Sequence, residues 1–195
     1  MPLAQYTDPS VSKTKFDREV AEYHALAPQY RKRGWLLLEA AFPRVMVAFA
    51  APLLKPIALV LAVEFDYTNY DAAPPSVRLV HPLTGEPYTF AELPTPLMRA
   101  LPEQEVAPQL KVQPQQPLMQ AHAPTDVPFL CLAGVREYHE HPAHTGDAWE
   151  LHRAGGAGRL VRLLEVIAKY GIEPISGFNV QLIPKVGFNF NTPPA

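Results

Sequence analysis

Between Trp35 and Val80 the sequence runs as four apolar segments whose connections are too short for crossover helices, and this limits the fold more than any other feature. Trp35–Phe42 is a compact apolar run between Gly34 and Pro43, and Val45–Phe49 follows almost at once. Past the break at Pro52–Pro56, Ile57–Phe65 makes a third run; Ser76–Val80 alternates polar and apolar residues as a half-buried strand does. Parallel neighbours require a connection of roughly a dozen residues or more, so strands this close in sequence predict an antiparallel meander. The 23 prolines exclude an all-helical chain.

A helix is predicted ahead of the strands, from Thr14 to Arg33. Phe16, Val20, Tyr23, Leu26 and Ala27 recur at three- and four-residue steps, while Lys15, Asp17, Arg18, Glu19 and Glu22 fill the other face. Gly34 is the expected stop, and residues 1–13 read as a loosely held polar tail. A second helix is predicted from Gly158 to Tyr170, with Gly171 ending it. The fold class is therefore α+β, in one domain over residues 14–195. Residues 86–128, rich in proline and glutamine, form an insertion expected to hold at most a helical turn near Leu97–Leu101. An extended tail covers 172–195; Phe178–Leu182 and Val186–Phe190 either add short strands there or lie on the surface.

Composition removes several classes of function. A formal net charge of −2 gives no general attraction to nucleic acid or to an anionic membrane. One cysteine makes no intramolecular disulfide, and the first twenty residues lack the basic-then-apolar order of a secretory signal, so a cytoplasmic location is expected. The longest apolar stretch, Val45–Val63, is interrupted by Pro52, Lys55 and Pro56, so no membrane-spanning helix is expected. Gly155-Gly156-Ala157-Gly158 lacks the lysine and hydroxyl residue of a phosphate-binding loop; it reads as a flexible joint, and no cofactor is expected.

The single cysteine, Cys131, lies within the apolar run Phe129-Leu130-Cys131-Leu132, shortly before Tyr138, His139, His141, His144, Asp147 and Trp149. A thiolate is the strongest side-chain nucleophile near neutral pH, and a nearby histidine or acid activates it or moves protons for it. The alternative is a small apolar residue in a buried strand. Three readings of the histidines stand side by side. In one, His139 or His141 serves catalysis and Asp147 orients the imidazole. In another, His139, His141 and His144 with Asp147 bind a metal, although the spacing matches no zinc signature. In the third they cap turns and pack on Tyr138 and Trp149.

Tyr70-Asp71-Ala72-Ala73-Pro74-Pro75 after the third strand, Val77 and Leu79 in the fourth, the apolar stretch around Cys131 with Leu132 after it, then Trp149 and a helix, resemble the ubiquitin-conjugating enzymes and their bacterial relatives. The likeness covers roughly residues 14–170. It implies an N-terminal helix, a four-stranded meander, a catalytic-cysteine loop and a C-terminal helix. It also implies that Cys131 accepts a ubiquitin-like modifier as a thioester and passes it to an amine. The implied partners are an activating enzyme, the modifier and a target protein, and the implied setting is antiviral defence. The chain departs from the family at the histidine-proline-asparagine triplet: His81-Pro82 is followed by Leu83, and His122 lies within Gln120-Ala121-His122-Ala123-Pro124. Oxyanion support must then come from elsewhere, such as the backbone N–H groups after Cys131. The catalytic set expected from sequence is Cys131, His139, His141 and Asp147. The rivals are a non-catalytic scaffold of the same fold, a metal-binding protein using His139, His141 and His144, and a cysteine peptidase with a histidine poised on the thiol.

Overall fold

A computed structural model describes residues 4–101 and 114–179. Helix α1 spans Pro9–Ala25, where the Asp8 carboxylate accepts from Ser10 N–H at 2.8 Å and Pro9 occupies the first turn, whose amides need no partner. It thus begins well before Thr14, and the loose tail is shorter than expected. Asn69 holds residues ahead of it: its carbonyl accepts from the N–H groups of Tyr6 and Thr7, and its amide donates to Ala4 O. The single helix expected to Arg33 is interrupted at Leu26, two residues before Pro28, and α2 (Ala27–Lys32) follows. Proline supplies no amide and its ring crowds the preceding turn.

Strands β1 (Trp35–Ala41), β2 (Arg44–Ala51), β3 (Ala58–Asp66) and β4 (Ser76–Val80) pair in sequence order, each antiparallel to the next. The register sets Val47 opposite Val63 and Val63 opposite Leu79. The predicted meander is present with its boundaries nearly as read.

The described part of the insertion is more regular than expected. A short 3-10 turn, Phe90–Glu92, is closed by Glu92, whose carboxylate accepts from both the N–H and the hydroxyl of Thr89 while its own N–H donates to Thr89 O. Strand β5 (Met98–Ala100) pairs with β6 (Gln115–Pro117), and β7 (Met119–Gln120) pairs with β8 (Phe129–Leu130). The helical turn expected near Leu97–Leu101 is therefore a strand. Leu97, fully buried, sits at φ 53°, a conformation that cannot continue into a right-handed helix.

After Cys131 come α3 (Arg136–Glu140), a 3-10 turn (Pro142–His144), α4 (Trp149–Arg153) and α5 (Leu160–Ile167). A π-helical turn, Ala168–Ile172, extends α5, so Gly171 lies inside the last turn and does not end the helix. Its role is close approach, since a Cβ there would come 3.0 Å from Leu97 Cγ. The strand readings over Phe178–Leu182 and Val186–Phe190 fall almost entirely outside the described residues.

One face of the sheet presents Val45, Val47, Phe49, Leu61, Val63, Phe65, Val77 and Leu79 to Phe16 and Tyr23 of α1 and to Leu160, Leu163, Leu164 and Ile167 of α5. This shared burial is the main stabilising term, at about 25 cal/mol per Å² of apolar surface. Buried Glu19 joins the layers, accepting from Leu160 N–H at the start of α5 and from the Tyr70 hydroxyl. The same core receives Leu118, Leu130 and Val135, which fixes the chain on both sides of Cys131. Among the described residues no helix is long and apolar enough to cross a membrane.

Candidate functional site

Cys131 follows β8 directly, and its N–H donates to Leu118 O at 2.8 Å, so the residue is anchored while its side chain remains half-buried. Its Sγ lies 3.4 Å from Nε2 of His144. Burial pushes the thiol above its ordinary range, against a smaller opposing pull from the Arg99 guanidinium. Near neutral pH the resting contact is thus a thiol facing an imidazole nitrogen, and attack requires a base to take the Sγ proton.

His144 is held by aromatic stacking. Its ring lies on Tyr138, with centroids 3.8 Å apart and planes 20° from parallel. The Tyr138 hydroxyl donates to Asp147 Oδ2 at 2.6 Å, and His152 Nε2 lies 2.6 Å from Asp147 Oδ1. Asp147 pushes the Tyr138 phenol up to about 12, while Tyr138 and then His152 lower the Asp147 carboxyl. Because the folded carboxyl titrates below its unfolded value of about 3.9, its contribution is full above that pH and fades as pH falls through the lower folded value. Asp147 therefore acts on His144 through Tyr138 and does not touch the imidazole.

The histidines named from sequence are placed differently. His139 Nε2 is 2.7 Å from Ala133 O and its Nδ1 is 2.8 Å from Asp147 O, so both ring nitrogens face backbone carbonyls and tie the two ends of the loop together. His141 Nδ1 accepts from Ala143 N–H, and its ring stacks on His122 and Phe129. The sulfur contact belongs to His144, which sequence reasoning placed in the cluster but left out of the catalytic set. The signal was present in Pro142: a proline after His141 starts a three-residue turn, and His144 N–H closes it on His141 O at 3.0 Å. Among the described residues no three histidine, cysteine or acidic side chains come together to hold a metal ion.

Two further residues build the site. Arg136, almost fully buried, donates through Nη2 to Thr68 O at 2.6 Å and through Nε to Pro74 O at 3.2 Å; its own N–H reaches Pro75 O at 2.9 Å. Trp149 Nε1 donates to Asp71 O at 2.8 Å. The Tyr70–Pro75 segment is thus bolted to the helices on either side of the histidine loop. Arg136 was not singled out from sequence, because a lone arginine after a valine carries no motif.

Gly134 is the second. A Cβ there would lie 2.1 Å from Ala157 O, and one at Gly158 would lie 2.9 Å from Pro75 Cδ and 3.0 Å from Trp149. The end of the glycine run expected to be a flexible joint, Ala157-Gly158, is therefore a close-packed crossing, while Gly155 is exposed. Gly134→Ala is expected to cost about 1–3 kcal/mol, because a backbone carbonyl must shift. A denaturant midpoint equal to that of the unsubstituted protein would contradict the crossing. Among the described residues, the N–H groups of Ala133 and Gly134 have no acceptor, whereas Leu132 N–H is bonded to Leu130 O.

Comparison with known proteins matches the chain to the Y4jH-like family, described as the Y4jH family, over residues 7–175. The uncharacterized protein y4jH of Sinorhizobium fredii (strain NBRC 101917 / NGR234) is 40% identical over 201 residues, covering 96% of this chain and 95% of that relative.

Proposed function

Since the chain belongs to the Y4jH family, we propose for this member an acyl-carrier function of the ubiquitin-conjugating type, with Cys131 as the carrier. The observation that carries the reading is the 3.4 Å contact between Cys131 Sγ and His144 Nε2. It is supported by the order of elements: helix, four-stranded meander, the Tyr70–Pro75 segment, cysteine, tryptophan and helix.

In the first step His144 takes the Sγ proton as sulfur attacks the carbonyl carbon of a thioester joining a ubiquitin-like modifier to an activating enzyme. The tetrahedral intermediate collapses, the enzyme's sulfur leaves with the proton held by His144, and the acyl group stays on Cys131. In the second step a neutral amine of a target attacks this thioester, loses a proton to the same imidazole and expels Sγ. Each passage develops an oxyanion, for which the Ala133 and Gly134 N–H groups, without an acceptor among the described residues and following closely after Cys131 in sequence, are the candidate donors. His139, His141 and Asp147 serve this reading by holding the loop, and an antiviral setting follows only from the resemblance.

A small glycyl thioester tests the chemistry without a cognate modifier. The expected result is a mass increase of one acyl group that hydroxylamine removes and Cys131→Ala abolishes. The same assay with a ubiquitin-like modifier, its activating enzyme and ATP is expected to give a conjugate that thiol reductant cleaves. A Cys131→Ser protein should retain an ester that survives reductant. Failure to acylate Cys131 in either assay would leave the scaffold reading. A second reading, acyl transfer to water as in cysteine peptidases, draws on the same sulfur–imidazole contact. It predicts rapid hydrolysis of the adduct without added amine, whereas the carrier predicts a persistent adduct that an amine discharges.

A further inference from the structure

We propose that Arg99 is the charge-stabilising residue of the Cys131 site, supporting the anion that forms there during acyl exchange. Arg99 lies on β5, opposite Gln116 of β6. From β6 the chain passes directly to Leu118, whose N–H donates to Leu97 O and whose carbonyl accepts from Cys131 N–H. The backbone carrying Arg99 is therefore one chain path removed from that carrying the sulfur. Among the described residues Arg99 has no acidic partner, and its buried Nε has no hydrogen-bond partner. A guanidinium atom withheld from water without an acceptor is costly, and an anion formed nearby would supply both the acceptor and the countercharge it lacks. Its charge already reaches the sulfur, where it opposes the effect of burial.

His144 touches the sulfur from the turn after α3, Tyr138 of α3 stacks on His144 with Asp147 behind it, and Arg99 lies on the β5 side. Of these Arg99 is the one permanent cation. Sequence reasoning left open what takes the place of the absent asparagine; Arg99, supplied by the insertion, meets that need through charge where the asparagine would act through an amide. Which anion it serves in turnover rests on the acyl-carrier reading, but its place on the neighbouring strand pair does not.

Alkylation of Cys131 separates the two. Iodoacetate carries a carboxylate and iodoacetamide is neutral, so the ratio of their rates reports local positive charge without any acyl donor. In the unsubstituted protein the ratio is expected to exceed that of free cysteine by about fivefold, as one nearby charge in a partly screened site implies. Arg99→Gln should bring the ratio down to the free value and move the alkylation midpoint to higher pH, Arg99→Lys should keep most of the preference, and His144→Gln should leave it in place. A ratio in the unsubstituted protein no higher than that of free cysteine would overturn the assignment, whatever the variants do. So would a lysine variant that behaves like the glutamine variant. Loss of acyl uptake with the ratio intact would instead remove the acyl-carrier reading and leave Arg99 as the cation that supports the Cys131 thiolate.

Discussion

Replacing His144 with alanine is expected to slow acylation of Cys131 by about a hundredfold at neutral pH, the lower end of what a positioned general base contributes. The cause lies in the resting state. Burial raises the thiol above its ordinary range, so the attacking sulfur begins protonated, and the nearest base is His144 Nε2 at 3.4 Å. Without that imidazole the reaction depends on the small fraction of thiolate, and the deficit should shrink as pH is raised toward the thiol's own titration. Single-turnover acylation by a glycyl thioester, followed across pH, measures this. His139→Ala and His141→Ala should leave the shape of the pH profile unchanged, because neither ring reaches the sulfur. His139→Ala should instead lower thermal stability, since the ring that bridges Ala133 O and Asp147 O is lost together with the hydrogen bond it donates there. A His139 variant with the profile expected for His144 would return the base to the residue suggested by sequence.

Arg136→Met is the second large effect, an expected loss of about 3–5 kcal/mol of folding stability from lost charge-assisted hydrogen bonds. The guanidinium donates to Thr68 O, Asp66 O and Pro74 O from a position that is 4% exposed. Methionine fills much of the volume but removes the two well-formed charge-assisted bonds, to Thr68 O and Pro74 O, each worth about 1.5–3 kcal/mol, and this outweighs the relief of removing Nη1, which is buried without a partner. The Tyr70–Pro75 segment and α3 would then be held chiefly by the Arg136 N–H bond to Pro75 O and by Glu137, which accepts from Ser76 Oγ and Val77 N–H. Urea denaturation reads the loss, and Cys131 alkylation should quicken as its cover loosens. A shift under about 1 kcal/mol would mean that water replaces the guanidinium at these carbonyls.

How far sequence reasoning carried depended on whether a signal was local. The strands from Trp35 to Val80 were legible because alternation and short connections act within a few residues, and the observed register follows them. The start of α1 was missed although Asp8-Pro9-Ser10 is an ordinary N-terminal cap, because the apolar stripe was given more weight than the cap. The Thr89–Glu92 turn was missed in the same way, its capping pair hidden in a proline-rich stretch. Strands β5 to β8 are two or three residues long, too short for periodicity to show.

At the site the limit was of another kind. The sequence by itself determined that one thiol stands beside a group of histidines and an aspartate, behind a helix and an antiparallel meander, because composition and periodicity are properties of the chain alone. Only the tertiary structure decided which imidazole meets the sulfur. That choice depends on a turn at Pro142, on Tyr138 stacking under His144, on His139 being taken up by two carbonyls, and on Arg136 and Gly134 holding the loop against segments distant in sequence. Contacts between residues far apart along the chain leave no period or spacing to read, so their outcome exists only once the chain has packed.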